Sequence, residues 1–149
     1  MTSKRANAER TGRNVGPLRK AIDAIETLNR HDLNALRVQM RDDMAFIHPL
    51  AGATDRNGLY DYMASVIESF PDLTIRVKRT VCEGAVVAAE CTVGGTFKKT
   101  FRGVPATDRF GETPVMFLFD IDAGKVQRWR VFYGIMDPIR GEDSTNESA

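Results

Sequence analysis

The 149-residue chain holds only two cysteines, two histidines and one tryptophan, and its 21 Lys+Arg residues nearly cancel its 20 Asp+Glu. A formal charge of +1 gives no overall field to gather nucleic acid or an anionic membrane, so neither is expected as a partner. No run approaches the ~18 apolar residues of a membrane span, and residues 1–14 lack the apolar core of a secretory signal. A cytoplasmic location is the expectation. Cys82 and Cys91 have neither zinc-site nor disulfide-framework spacing and read as buried or half-buried thiols. Glycine-rich phosphate loops, metal-ligand clusters and nucleophile elbows are missing, so neither a metal nor a cofactor is expected.

What is present is an apolar content of 42% arranged with clear periodicity. Residues 1–14 and 140–149 are polar and aperiodic and read as tails, leaving one domain over 15–139. Leu18, Ile22, Ile25 and Leu28 recur at helical spacing after Pro17, which suits a first turn. Asp32 is placed to cap a second helix carrying Leu33, Leu36 and Met40. "MAFIHP" reads as a strand ended by its proline, and Asn57 as the cap of a third helix with the stripe Tyr62, Met63, Val66, Ile67, Phe70. Strands follow: "LTIRVKRTV", "AVVAAECTV", "TFKKTFRGV", "TPVMFLF" and "VQRWRVFYG". Gly94-Gly95 suggests a bend or bulge. Helices followed by hairpin-joined strands predict an α+β domain, a curved antiparallel sheet packed against three N-terminal helices around an apolar pocket.

Strand pairing predicts which side chains enter that pocket. With Glu83-Gly84 as a two-residue loop, Val77 faces Glu90 and Ile75 faces Thr92, which turns Glu90 inward; a three-residue loop reverses this. The opposite row, Val87, Ala89, Cys91 and Val93, then forms an apolar outer patch suited to a homodimer. On the last strand Trp129, Val131 and Tyr133 alternate with Arg128 and Arg130, so the apolar set faces in. The loop "DAGK" leaves open whether Met116 and Leu118 or Phe117 and Phe119 share that face. "RVKR" and "KK" are explained by a solvated sheet face. His31, between Arg30 and Asp32, reads as a surface residue.

"TLNRHDLNAL", "GVPATDR" and "FDIDAGKVQRWRVFYG" together resemble the nuclear-transport-factor-two-like superfamily over residues 18–138, in its branch of SnoaL-like polyketide cyclases, ketosteroid isomerases and limonene epoxide hydrolases. The resemblance implies a cone-shaped α+β fold. "GVPATDR" looks like the cyclases' G-x-P-x-T-G-R loop with Asp108 in place of glycine. The isomerase's catalytic aspartate falls on His48, but its oxyanion-hole tyrosine falls on Ala24 and its protonated aspartate near Met116. The hydrolase's tyrosine and asparagine fall on Phe46 and His48, its arginine on Glu90, and its two aspartates on Thr92 and Val131; the cyclases' aspartate falls at Phe117.

The resulting expectation is a cofactor-independent isomerase or cyclase that moves protons on a small, largely apolar carbonyl or polyketide-like substrate. His48 is the candidate base, Glu90 its partner or acid, and Tyr133 with Thr92 the groups that polarise the substrate oxygen. Phe46, Trp129, Val131 and Met116 complete the expected pocket lining. The competing readings are a non-catalytic small-molecule-binding or dimerisation module and a divergent epoxide hydrolase. For His48 itself, the alternative is a structural histidine hydrogen-bonded at a strand end.

Overall fold

The computed structural model describes the backbone of residues 2–133, with side chains from Gly16 onward; the expected tail over 140–149 and the domain end at 139 lie outside the described residues. Helix α1 (Thr2–Asn29) extends well before Pro17, which lies inside it rather than at its first turn. Its buried stripe is Ala21, Ala24, Ile25 and Leu28. Helix α2 (Leu33–Val38) starts as expected, with the Asp32 carboxylate accepting the Ala35 N–H at 3.1 Å. Strands β1 (Met40–His48) and β2 (Gly52–Thr54) precede α3 (Arg56–Ser69). That helix is capped by Asp55, which accepts the Gly58 N–H at 2.9 Å, while Asn57, expected to be the cap, sits inside the first turn and bonds Arg37.

Strands β3 (Thr74–Glu83), β4 (Val86–Thr96), β5 (Phe110–Asp122) and β6 (Lys125–Tyr133) follow. Among the described residues the six strands form one curved, unclosed sheet in the order β2-β1-β6-β5-β4-β3. Neighbours are antiparallel except β1 and β6, which run parallel and so deliver their C-terminal ends, His48 and Tyr133, to the same end of the sheet. This is the expected α+β cone.

The parity of β4 differs from the sequence reading. The turn is Gly84-Ala85, since Glu83 pairs with Val86, and Glu90 opposes Arg79. Between Val77 and Arg79 the register shifts, leaving Lys78 as an extra residue, and beyond this bulge Val77 pairs with Cys91 and Ile75 with Val93. One added residue exchanges the two faces of a strand, because side chains alternate with period two. Ile75 is therefore buried while Val81 is exposed, despite their shared sequence parity. The inward row of β4 is Val87, Ala89 and Cys91, each fully buried, and the expected outer dimer patch is core.

The last hairpin decides between the two facings left open by its loop, and moves Met116 out of the expected pocket lining. Asp122 pairs with Lys125 across Ala123-Gly124, both at positive φ, a two-residue turn whose twist matches that of the strands. A register shift leaves Gln127 extra, so Phe119 opposes Trp129 and Phe117 opposes Val131. Phe117 and Phe119 thus face in and Met116 faces out. Trp129 is fully buried, its ring centroid 4.8 Å from Phe119, 5.3 Å from Phe117 and 6.0 Å from Phe46.

"TFKKTFRGV" is not a strand beyond Thr96. Residues 97–109 form a loop with one bridge, Phe101 to Val104, closed at its base where the Asp108 N–H donates to the Phe97 carbonyl at 2.8 Å. Asp108 stands at φ +61, a left-handed conformation that glycine adopts freely and Asp tolerates. Gly94 and Gly95 make no bulge with β5: a Cβ on Gly95 would lie 3.1 Å from the Phe70 Cβ, and one on Gly94 3.0 Å from the Phe110 ring, so both serve close approach.

Candidate functional site

Between α3, the loop over 97–109 and the inner face of β4 and β5 lies a cavity of about 430 Å³. Phe70, Phe97, Phe101 and Phe110 give it an aromatic wall, and Thr107, Arg109, Glu112 and Thr113 form its polar rim. Phe70 and Phe97 stack at 5.0 Å, and Phe101 meets Phe70 edge-on at 6.1 Å. Glu112 is engaged by Arg76 at 2.5 Å. Tyr62, Val66, Leu73, Val93 and Tyr133 are shared with a second chamber of about 50 Å³, whose further lining includes His48, Phe117 and Val131.

The polar groups of that chamber are His48, Tyr62 and Tyr133. His48 is 4% exposed and held from both ring nitrogens. Its Nδ1 accepts the Leu50 N–H at 3.0 Å and faces the Ala51 N–H at 3.4 Å, because Pro49 turns the chain back over the ring. A backbone N–H can only donate, so the neutral ring carries its proton on Nε2 and donates it to the Tyr133 hydroxyl oxygen at 3.0 Å. Burial, with Arg102 adding to it, pushes the imidazole down to about 4, so the ring is neutral at physiological pH.

Tyr62 lies 4.4 Å from the His48 ring, centroid to centroid, and lines the same chamber as Tyr133. Burial raises the Tyr62 phenol, with the neighbouring Tyr133 adding to it, and burial raises that of Tyr133 as well. Both phenols therefore stay protonated at neutral pH.

Of the residues singled out from sequence, His48 and Tyr133 come together and Val131 lines the same chamber. Phe46 is fully buried behind His48, at 5.7 Å between rings, and Trp129 is core rather than pocket wall. Glu90 is on the outer face, 3.3 Å from Arg79, and cannot reach His48. Thr92, paired with Arg76 and Pro114, and Met116, 37% exposed, are on that face too. The reason is the parity set by Lys78 and Gln127. His31 is tied inward, its Nε2 2.9 Å from the Leu73 carbonyl. Sequence reasoning missed Tyr62, which carried a signal as the one hydroxyl on the apolar stripe of α3, and Arg102, which carried none.

The sequence profile of the SnoaL-like polyketide cyclases matches residues 19–140. Among solved structures the chain is similar to IdmH of Streptomyces antibioticus, a candidate polyketide cyclase, at 26% identity and a TM-score of 0.72, covering 79% of this chain and 91% of that one. A candidate SnoaL-like polyketide cyclase from Jannaschia sp. CCS1 superposes with a TM-score of 0.75 at 21% identity, covering 82% and 88%. AclR of Streptomyces galilaeus, a candidate hydroxylase, does so at 0.76 and 20%, covering 89% and 98%. No curated protein matches the chain.

Proposed function

The chain belongs to the SnoaL-like polyketide cyclase family, and we propose that it is an enzyme of small, largely apolar carbonyl or polyketide-like substrates, promoting cyclisation or isomerisation through hydrogen bonding to the substrate oxygen. The observation that carries this reading is the His48 Nε2–H···O Tyr133 hydrogen bond at the base of an apolar, aromatic-walled cavity. The Tyr133 oxygen accepts from His48, which leaves the Tyr133 proton available to a substrate oxygen in the cavity that Tyr133 lines. A hydroxyl polarised by the imidazole N–H stabilises negative charge developing on a carbonyl oxygen as an enol or enolate forms.

The role expected of His48 changes accordingly. Its acceptor nitrogen is occupied by the Leu50 N–H and its other nitrogen donates, so it orients Tyr133 rather than taking a proton from carbon. Among the described residues no carboxylate lines the inner chamber. Substrates whose carbon acid is already activated by its carbonyls suit such a site, with water from the open mouth taking the proton.

Deuterium incorporation into β-tetralone, followed by NMR in deuterium oxide, tests the reading. Acceleration over buffer that falls on the order of 10²-fold in Tyr133→Phe supports it. An unaccelerated rate together with saturable binding of β-naphthol favours the second reading, a small-molecule-binding module, for which the lack of an inner carboxylate is the supporting observation.

A further inference from the structure

Arg102 lies on the 97–109 loop at φ +50 and is solvent-exposed, yet its guanidinium donates to the Leu50 carbonyl at 2.9 Å. That carbonyl belongs to the peptide whose N–H is that of Ala51, and the Ala51 N–H faces His48 Nδ1 at 3.4 Å beside the 3.0 Å Leu50 N–H. A continuous path thus runs from the guanidinium through one peptide group to Nδ1, across the ring to Nε2–H, and on to the Tyr133 oxygen at 3.0 Å. A cation on the carbonyl end of a peptide strengthens donation from its N–H, since hydrogen bonds in a chain polarise one another.

We propose that Arg102 is a positioning residue for the Tyr133 hydroxyl: by holding the Leu50–Ala51 peptide against His48 it fixes which imidazole nitrogen carries the proton, and so ties the seating of the 97–109 loop to the setting of the Tyr133 donor. The loop supplies Phe97, Phe101, Thr107 and Arg109 to the cavity, so the same segment that walls the substrate space also governs the group at its base. The proposal rests on Tyr133 acting as the donor, but the arrangement it describes is read without any substrate.

The groups facing the His48 ring are Tyr62 from α3, Tyr133 from β6 and Arg102 from the loop. The test is NMR of the imidazole nitrogens in protein carrying isotope-labelled histidine, on the full chain, comparing wild type, Arg102→Met and Arg102→Lys. With only two histidines, His31 on the Leu73 carbonyl serves as internal control. In wild type His48 is the Nε2–H form. Arg102→Met is expected to mix the two tautomers and to move the His48 titration midpoint up, because a nearby cation is removed, with His31 unmoved. Arg102→Lys is expected to restore most of the wild-type pattern. Unchanged His48 nitrogens and midpoint in Arg102→Met, or equal movement of His31, overturns the proposal. Neither result bears on whether the protein turns over β-tetralone, so failure here is separable from failure of the functional reading.

Discussion

His48 Nε2 and the Tyr133 hydroxyl, 85 residues apart in sequence, stand 3.0 Å apart at the base of the cavity, with the ring planes nearly perpendicular at 85°. Among the described residues each is the last of its strand. The bond joins a buried ring that is neutral at physiological pH to a hydroxyl that lines the cavity.

The first prediction separates the two ends of that ring. Asn places an oxygen near the position of Nδ1, and Gln an amide N–H near that of Nε2. His48→Gln is therefore expected to keep more β-naphthol affinity than His48→Asn, which retains the acceptor for Leu50 but loses the donor to Tyr133. Equal affinities, measured by fluorescence titration, would assign His48 a purely structural part.

pH dependence follows from the same burial. The imidazole is held down from about 6.5 to about 4, so between these values the unfolded chain binds a proton that the native one does not. Stability from this residue is complete above pH 6.5 and is lost as pH falls toward 4. Urea midpoints measured across that window should fall less steeply in His48→Gln than in wild type; parallel curves would contradict a neutral buried imidazole.

Tyr133→Phe is expected to weaken β-naphthol binding about tenfold, the equivalent of one hydrogen bond of about 1.4 kcal/mol. Tyr62→Phe, which leaves the His48–Tyr133 bond in place, should cost less. Isothermal titration gives both values, and a larger loss in Tyr62→Phe would make Tyr62 the donor to the ligand in place of Tyr133.

The two faces of β4 give opposite expectations for neighbouring residues. Glu90→Gln removes an exposed ion pair to Arg79 and should change stability by no more than about 1 kcal/mol. Ala89→Asp buries an unpaired carboxyl in a fully enclosed position and should cost about 3 kcal/mol or more. Chemical denaturation decides; similar costs would mean the register is wrong.

Assembly remains a proposal on altered grounds. We propose a homodimer through the outer sheet face, where Arg79, Glu90, Met116 and Phe132 form one cross-strand row and Val81, Ala88, Leu118 and Arg130 the next. Phe132 is 48% and Val81 62% exposed, an apolar surface flanked by charge. Sedimentation equilibrium should show a dimer at micromolar concentration that Phe132→Glu dissociates; a wild-type monomer would remove the proposal.

Local chemistry was enough for much of the architecture. Asp32 before an apolar repeat marked the start of α2, Pro49 marked the end of a strand, and the alternation of Trp129 and Val131 with arginines showed the inner face of β6, because each of these depends on a few adjacent residues. His48 was legible as a site residue for the same reason, being a rare polar group at the end of an apolar strand. Which carboxylate or hydroxyl meets it was not. That depended on the parallel pairing of β1 with β6, which joins segments about eighty positions apart, and on the extra residues Lys78 and Gln127, whose bulges leave the composition of their strands unchanged while exchanging their faces. A sequence states the period of a strand, but its phase across the sheet is an energy of long-range packing, and here that phase sent Glu90 out to solvent and brought Tyr133 and Tyr62 in to His48.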